Sequence, residues 1–182
     1  VASTWTAANP GGRVFTPPMA LPVAIVDSDR GGVDAELDEQ LITPARDLRT
    51  AITATLEFDQ SFVWYPGRGD EKGDVDIRSS ATGGAWVNLR RNQGSSTFDP
   101  DHRRIDVTAY AAGAQSVQVR FHYYDASFEW WWAVDNIRLV TTAAGGCAQS
   151  ACALTLLPPP VPDGSFGSAM TVARVDTSGA SL

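Results

Sequence analysis

In Val117-Gln118-Val119-Arg120-Phe121-His122-Tyr123-Tyr124, Val117, Val119, Phe121 and Tyr123 alternate with Gln118, Arg120, His122 and Tyr124. Successive side chains of an extended chain point to opposite faces, so this period of two predicts a strand with one buried face. Ile52-Thr53-Ala54-Thr55-Leu56-Glu57-Phe58 repeats the pattern with apolar residues at every even position, and Val75 and Ile77 alternate with Asp74, Asp76 and Arg78. Shorter runs at 22–27, 39–43, 60–65, 85–90, 104–108 and 132–140 are separated by Gly, Pro, Asp and Asn, the residues turns require. No stretch keeps an i, i+3, i+4, i+7 apolar stripe for three turns. About nine short strands without helices predict an all-β protein, an antiparallel two-sheet β-sandwich of jelly-roll type.

The 182 residues are 43% hydrophobic and 19% charged, enough apolar content for a sizeable core. Fourteen Lys and Arg against 21 Asp and Glu give a net charge of −7, the wrong sign for neutralising phosphates, so nucleic acid is not expected as a partner. Such an acidic excess suits solubility or a hard cation. No apolar run approaches the roughly 18 residues of a membrane helix, and membrane insertion is not expected.

Residues 1–143 read as the sandwich, 144–162 as a linker holding both cysteines and the run Pro158-Pro159-Pro160-Val161-Pro162, and 163–182 as the truncated start of a following module. The chain thus reads as a piece of a longer protein. Cys147 and Cys152 form a lone C-x4-C pair without a nearby histidine or second cysteine pair, which is poor zinc spacing; a local disulfide fits better and favours an oxidising, extracellular setting.

Acids at core parity are the most informative residues. Asp135 shares strand parity with Ala133, Ile137 and Leu139, and Asp27 with Val23 and Ile25. A buried carboxylate needs a cation or several donors. Calcium, taking six to eight oxygens, would satisfy both, with Asp29 joining them; hydrogen bonds to loop amides at a strand end are the alternative.

The stretch VQVRFHYYDASFEWWWAVDNIRLV resembles the closing strands of MAM-like and cleaved-adhesin-like jelly-roll domains, in which a Trp-rich turn precedes an Ala-(Val/Ile)-Asp-Asn-(Ile/Val) strand. The segments Asp38-Glu39-Gln40-Leu41-Ile42-Thr43-Pro44, Leu56-Glu57-Phe58-Asp59 and Val75-Asp76-Ile77-Arg78-Ser79 fit the same resemblance, which covers about residues 20–140. It implies a non-catalytic module, in bacteria secreted or surface-borne and often appended to proteases and adhesins, with calcium held by Asp135 and, less directly, by Asp27 and Asp29. The family's N-terminal Phe-Glu opening is not visible.

Aromatic residues form a second group. Three consecutive tryptophans cannot all face one way, so Trp130 and Trp132 are expected to plug the sandwich and Trp131 to reach the surface. Trp131, Trp64 and Tyr124 are the expected contact residues for a glycan or a cell-surface protein. Ser79-Ser80-Ala81-Thr82-Gly83-Gly84-Ala85-Trp86 has the spacing of an Asp-box hairpin with Ala81 in place of the acid, which is a structural turn. Arg68-Gly69-Asp70 lies in the loop RGDEKGD, which reads as a solvated turn.

Catalysis finds little footing. His102 and His122 belong to no metal or nucleophile motif, and the pairs Glu57 with Asp59 and Asp74 with Asp76 read first as a solvent face, although their spacing suits a glycoside hydrolase. The residues therefore describe a calcium-stabilised binding or adhesion module of a larger secreted protein. A structural spacer or assembly domain is the alternative.

Overall fold

Eight strands are divided equally between two sheets. In a computed structural model the described residues are 4–97 and 99–143, with the backbone of two further short strands. Strands β1 (Ala24–Asp27), β3 (Ala51–Phe62), β6 (Asp101–Asp106) and β8 (Trp131–Ala143) form one sheet; β2 (Leu37–Ile42), β4 (Lys72–Arg78), β5 (Val87–Asn92) and β7 (Gln118–Ala126) form the other. Of these eight, only β4 and β5 follow one another within the same sheet. The orders β1-β8-β3-β6 and β2-β7-β4-β5, all antiparallel, are the jelly-roll winding expected from the alternation. The backbone of β9 (Cys152–Thr155) pairs with Arg138–Thr141 of β8, and β10 (Arg174–Val175) pairs with β9. Of the segments read as linker and following module, only these two strands are described. No helix among the described residues is long and apolar enough to cross a membrane.

The space between the sheets is filled by the inward residues of every strand, among them Val26, Leu56, Phe58, Phe62, Val75, Ile77, Val119, Phe121, Tyr123 and Trp132. Trp132 is its centre: Trp5, Phe121 and Phe62 meet its ring edge-on at 5.5, 5.8 and 6.1 Å. Edge-to-face contacts of this kind add about 0.5–1.5 kcal/mol each beyond burial.

The outer face of the β1-β8-β3 sheet is covered too. Met19, Val23, Ile25 and Ala133 form a second buried cluster with Phe15 and Trp131 against it, because the segment before β1 folds back across the sheet. Both faces of the sheet are therefore dry here, and Asp59, Gln60, Ser61 and Phe62 are buried in succession where alternation predicts one face in water.

Asp135 departs from its expected parity for a local reason. The pairing of β3 with β8 steps from Glu57↔Arg138 to Asp59↔Asp135, so β8 carries one extra residue. Asn136, in the left-handed region at φ 51°, makes the bulge. Ile137 and Leu139 consequently face the core, whereas Asp135 lies with Ala133 on the outer side.

Candidate functional site

One end of the sandwich gathers most of the unusual chemistry. Four segments meet there: the turn Asn9–Arg13, the 3-10 turn Ser28–Arg30 after β1, the loop between β3 and β4, and the loop between β7 and β8.

Asn9 shapes the first. Its side-chain Oδ1 accepts from the Arg13 amide at 2.9 Å, and its Nδ2 donates to the Arg13 carbonyl at 2.8 Å. The Arg13 guanidinium is thereby delivered onto β1. Its Nε and Nη2 donate to Asp27 at 2.9 and 3.0 Å, and Nη2 also donates to Asp29 at 2.8 Å. The same group lies 4.0 Å from the Trp131 ring centroid. A planar fork serves all these contacts at once, which an ammonium cannot do.

The β7–β8 loop is strained. Asp125, Phe128 and Trp130 all have positive φ, at 53°, 55° and 76°. For bulky residues this region costs about 1–2 kcal/mol, and it persists only where the surroundings impose it. Glu129, between the two aromatics and 1% exposed, supplies the anchor: its amide donates to Ser28 Oγ at 2.8 Å and its Oε2 accepts from the Ser127 amide at 3.0 Å. Phe128 and Trp130 are consequently turned outward, 48% and 38% exposed. Tyr65, from the β3–β4 loop, meets Trp130 edge-on at 6.5 Å and is exposed as well.

Beneath these rings lies a buried acid. Glu71 is fully buried; it accepts from the Tyr65 amide at 2.6 Å and from the Tyr123 hydroxyl at 2.8 Å. Burial pushes its pKa up to about 7 against the pull of those two donors, and the charges of Glu129 and Asp29 add to the rise. Tyr123 is raised well above its ordinary value, first by burial and then by the neighbouring Glu71 charge. The loop RGDEKGD is thus no solvated turn throughout: Glu71 is its inward anchor, while Arg68 hands Nη1 to the Ser127 carbonyl at 2.9 Å.

The three acids expected to share a calcium ion do not meet. Asp27 stands opposite Trp131 and Asp135 opposite Asp59, four residues along β8, or about 13 Å at strand rise. Asp27 and Asp29 are engaged by Arg13, an arrangement that fits a guanidinium rather than a metal. Asp135 instead accepts from the Ala20 and Asn136 amides at 3.0 and 2.7 Å. Burial raises its pKa despite those bonds, and the adjacent Asp59 charge raises it further. Asp59 takes the Asn136 side-chain amide at 2.7 Å and has His102 Nδ1 at 2.8 Å. Among the described residues no group of three or more His, Cys, Asp or Glu is placed to hold a metal ion.

The expected contact residues are likewise dispersed. Trp131 is half-buried beneath Arg13, and Trp130 is the tryptophan that reaches the surface. Trp64 packs against the core with Gly69 against its ring. Tyr124 lies on the second sheet, stacked on His122 at 4.4 Å and bonded through its hydroxyl to Asp74 and Arg91. Of the acid pairs considered for hydrolysis, Asp74 is gripped by Arg91 at 2.8 Å through both oxygens, and Asp76 by Arg120 and Asn88. Trp86 lies between Arg78 and Arg120 at 4.5 and 4.6 Å, behind a turn capped by Ser79 and Thr82. Cys147 lies outside the described residues, and of Cys152 only the backbone is described.

The fold has a likeness among solved structures. The K1 cleaved adhesin domain of Lys-gingipain from Porphyromonas gingivalis W83 matches at TM-score 0.53 and 18% identity, over 79% of this chain and 85% of that one. This chain shares its fold. The K3 cleaved adhesin domain of the same protein matches at TM-score 0.53 and 17% identity, over 77% and 86%. A CBM4 structure, at TM-score 0.39 and 16% identity, is too loose a match to bear on the site. No protein-family model matches the chain, and no curated protein does.

Proposed function

We propose that this chain is a non-catalytic binding module of a larger secreted or cell-surface protein, and that it holds a glycan or a protein at the end of the sandwich built around Trp130. The observation that carries this reading is the strained β7–β8 loop. Two bulky aromatics at positive φ are turned toward solvent while the residue between them is anchored in the interior. Flat exposed rings with polar neighbours suit stacking on a sugar or anchoring a partner. The acid pairs of β4 are committed to arginines, which supports binding over hydrolysis. Likeness of fold to cleaved adhesin domains agrees with an adhesive role and an extracellular setting.

Calcium stays in this proposal at Asp135, of the acids expected to hold it, with Asp59 opposite on β3 and the Pro18 carbonyl nearby through Asn136; an ion would have to displace the N–H groups now bonded to both carboxylates. An ion there would tie the segment before β1 to the bulge of β8.

The reading is tested by probing immobilised glycans and extracellular proteins with the full chain and with a Tyr65→Ala/Phe128→Ala/Trp130→Ala variant. The expected result is a ligand retained by the first and lost by the second, with the second still unfolding as one cooperative transition. Equal retention by both would overturn it.

A further inference from the structure

Beside the aromatic rim the same end of the sandwich opens into a cleft of about 270 Å³. Its wall carries five carboxylates, Asp34, Glu36, Asp70, Asp125 and Glu129, against one guanidinium, Arg68. Arg68 is turned to a backbone carbonyl, and Asp125 is paired with Lys72 at 2.5 Å. Asp34, Glu36 and Asp70 are exposed at the mouth.

Glu129 gives this acidic wall its meaning. It is 1% exposed and lines the cleft, and while Oε2 accepts from the Ser127 amide, Oε1 is buried without any hydrogen-bond partner. A buried carboxylate oxygen lacking a donor is a standing cost, and a ligand N–H is what removes it.

The size and spread of the acids select the ligand. Calcium needs six to eight oxygens converging at about 2.3–2.6 Å, and no three acids among the described residues converge in that way. A guanidinium or ammonium group distributes three to five N–H donors over a larger body and bonds carboxylates standing apart.

We propose that this cleft binds a lysine or arginine side chain of a partner polypeptide. The inference rests on the reading of this end as the contact surface and narrows its partner to a basic protein segment.

The test is titration of the isotope-labelled full chain, followed by amide resonances, with N-acetylarginine amide, N-acetyllysine amide, the neutral N-acetylglutamine amide and calcium chloride in separate arms. The expected result is saturable movement of the Asp34, Asp70 and Ser127 amides with a cationic probe and none with the glutamine probe. Affinity should fall on the order of tenfold as salt shortens the screening length from about 10 Å to about 3 Å. Asp34→Asn/Asp70→Asn, at exposed positions, should weaken binding several-fold without moving the melting temperature, and Glu129→Gln should weaken it further. An equal response to the glutamine probe, stoichiometric movement of the same amides by calcium, or unchanged affinity in the double variant would overturn the proposal. Silence toward both cations with a live response at Tyr65 and Trp130 to another ligand would overturn it alone and leave the binding-module reading standing.

Discussion

Arg13 holds Asp27 through two hydrogen bonds, at 2.9 and 3.0 Å, with the face of its guanidinium 4.0 Å from the centre of the Trp131 ring. The carboxylate is 1% exposed, so the guanidinium offsets part of the cost of burying it, and the contact fastens the N-terminal turn to both β1 and β8. Gly11 completes the fit: a side chain there would run into the Asp27 carboxylate.

Arg13→Ala should therefore destabilise the sandwich by about 3 kcal/mol, the usual cost of removing one partner of a buried ion pair. For a domain of this size that lowers the melting temperature by about 6–12 °C. Arg13→Lys keeps the charge but loses the fork, and should lose about half as much. A melt of Arg13→Ala within about 2 °C of the parent would contradict the account.

Glu71 gives stability a pH dependence whose sign is fixed by its pKa of about 7 in the fold, against 4.5 ordinarily. Between those values the folded chain binds more protons than the unfolded one, so stability falls as pH rises through the window and is level above it. Asp135, also raised, adds the same sign over its own range. Thermal melts at about pH 5 and about pH 8 should show this loss, and Glu71→Gln should flatten much of it and stabilise the alkaline side. An unchanged slope in Glu71→Gln would place the proton elsewhere.

Strain at Phe128 predicts an inversion of the usual order of substitutions. At φ 55° glycine is the residue without a steric penalty. Phe128→Gly should therefore melt higher than Phe128→Ala by about 1 kcal/mol, or about 2–4 °C, although both remove the ring. Equal melting of the two would show that the loop relaxes when the ring is gone.

Calcium at Asp135 and Asp59 is tested by melting the chain with excess calcium and with chelator. A ligand bound only by the native state raises its stability, by about 2.7 kcal/mol at a hundredfold excess over Kd. The shift should vanish in Asp135→Ala. Identical melts with and without chelator, with no metal found in the protein, would remove calcium from the account.

The fold was legible because β7 pairs with β4 without a bulge and has one wet face: Val119, Phe121 and Tyr123 are buried as their parity demands. Parity misled at Asp135 because a single left-handed residue, Asn136, reverses the faces of β8. It misled again from Asp59 to Phe62, where the segment before β1 covers the outer face that alternation assigned to water. The end site was legible only in its raw material, the run of tryptophans. Its order depends on contacts between residues far apart in the chain, Arg13 with Asp27 and Trp131, Tyr65 with Glu71 and Trp130, and Glu129 with Ser28. No local pattern marks Glu71 or Glu129 as buried, or picks Trp130 over Trp131 as the exposed ring.

The most direct test of the end site is the affinity of Trp130→Ala beside Tyr124→Ala for a ligand that the chain retains. The account predicts a loss of about tenfold or more in Trp130→Ala, as for a contact residue worth about 1.4 kcal/mol, and no loss in Tyr124→Ala, which lies on the other sheet. The reverse pattern would move the binding surface to the outer face of β2-β7-β4-β5 and contradict it.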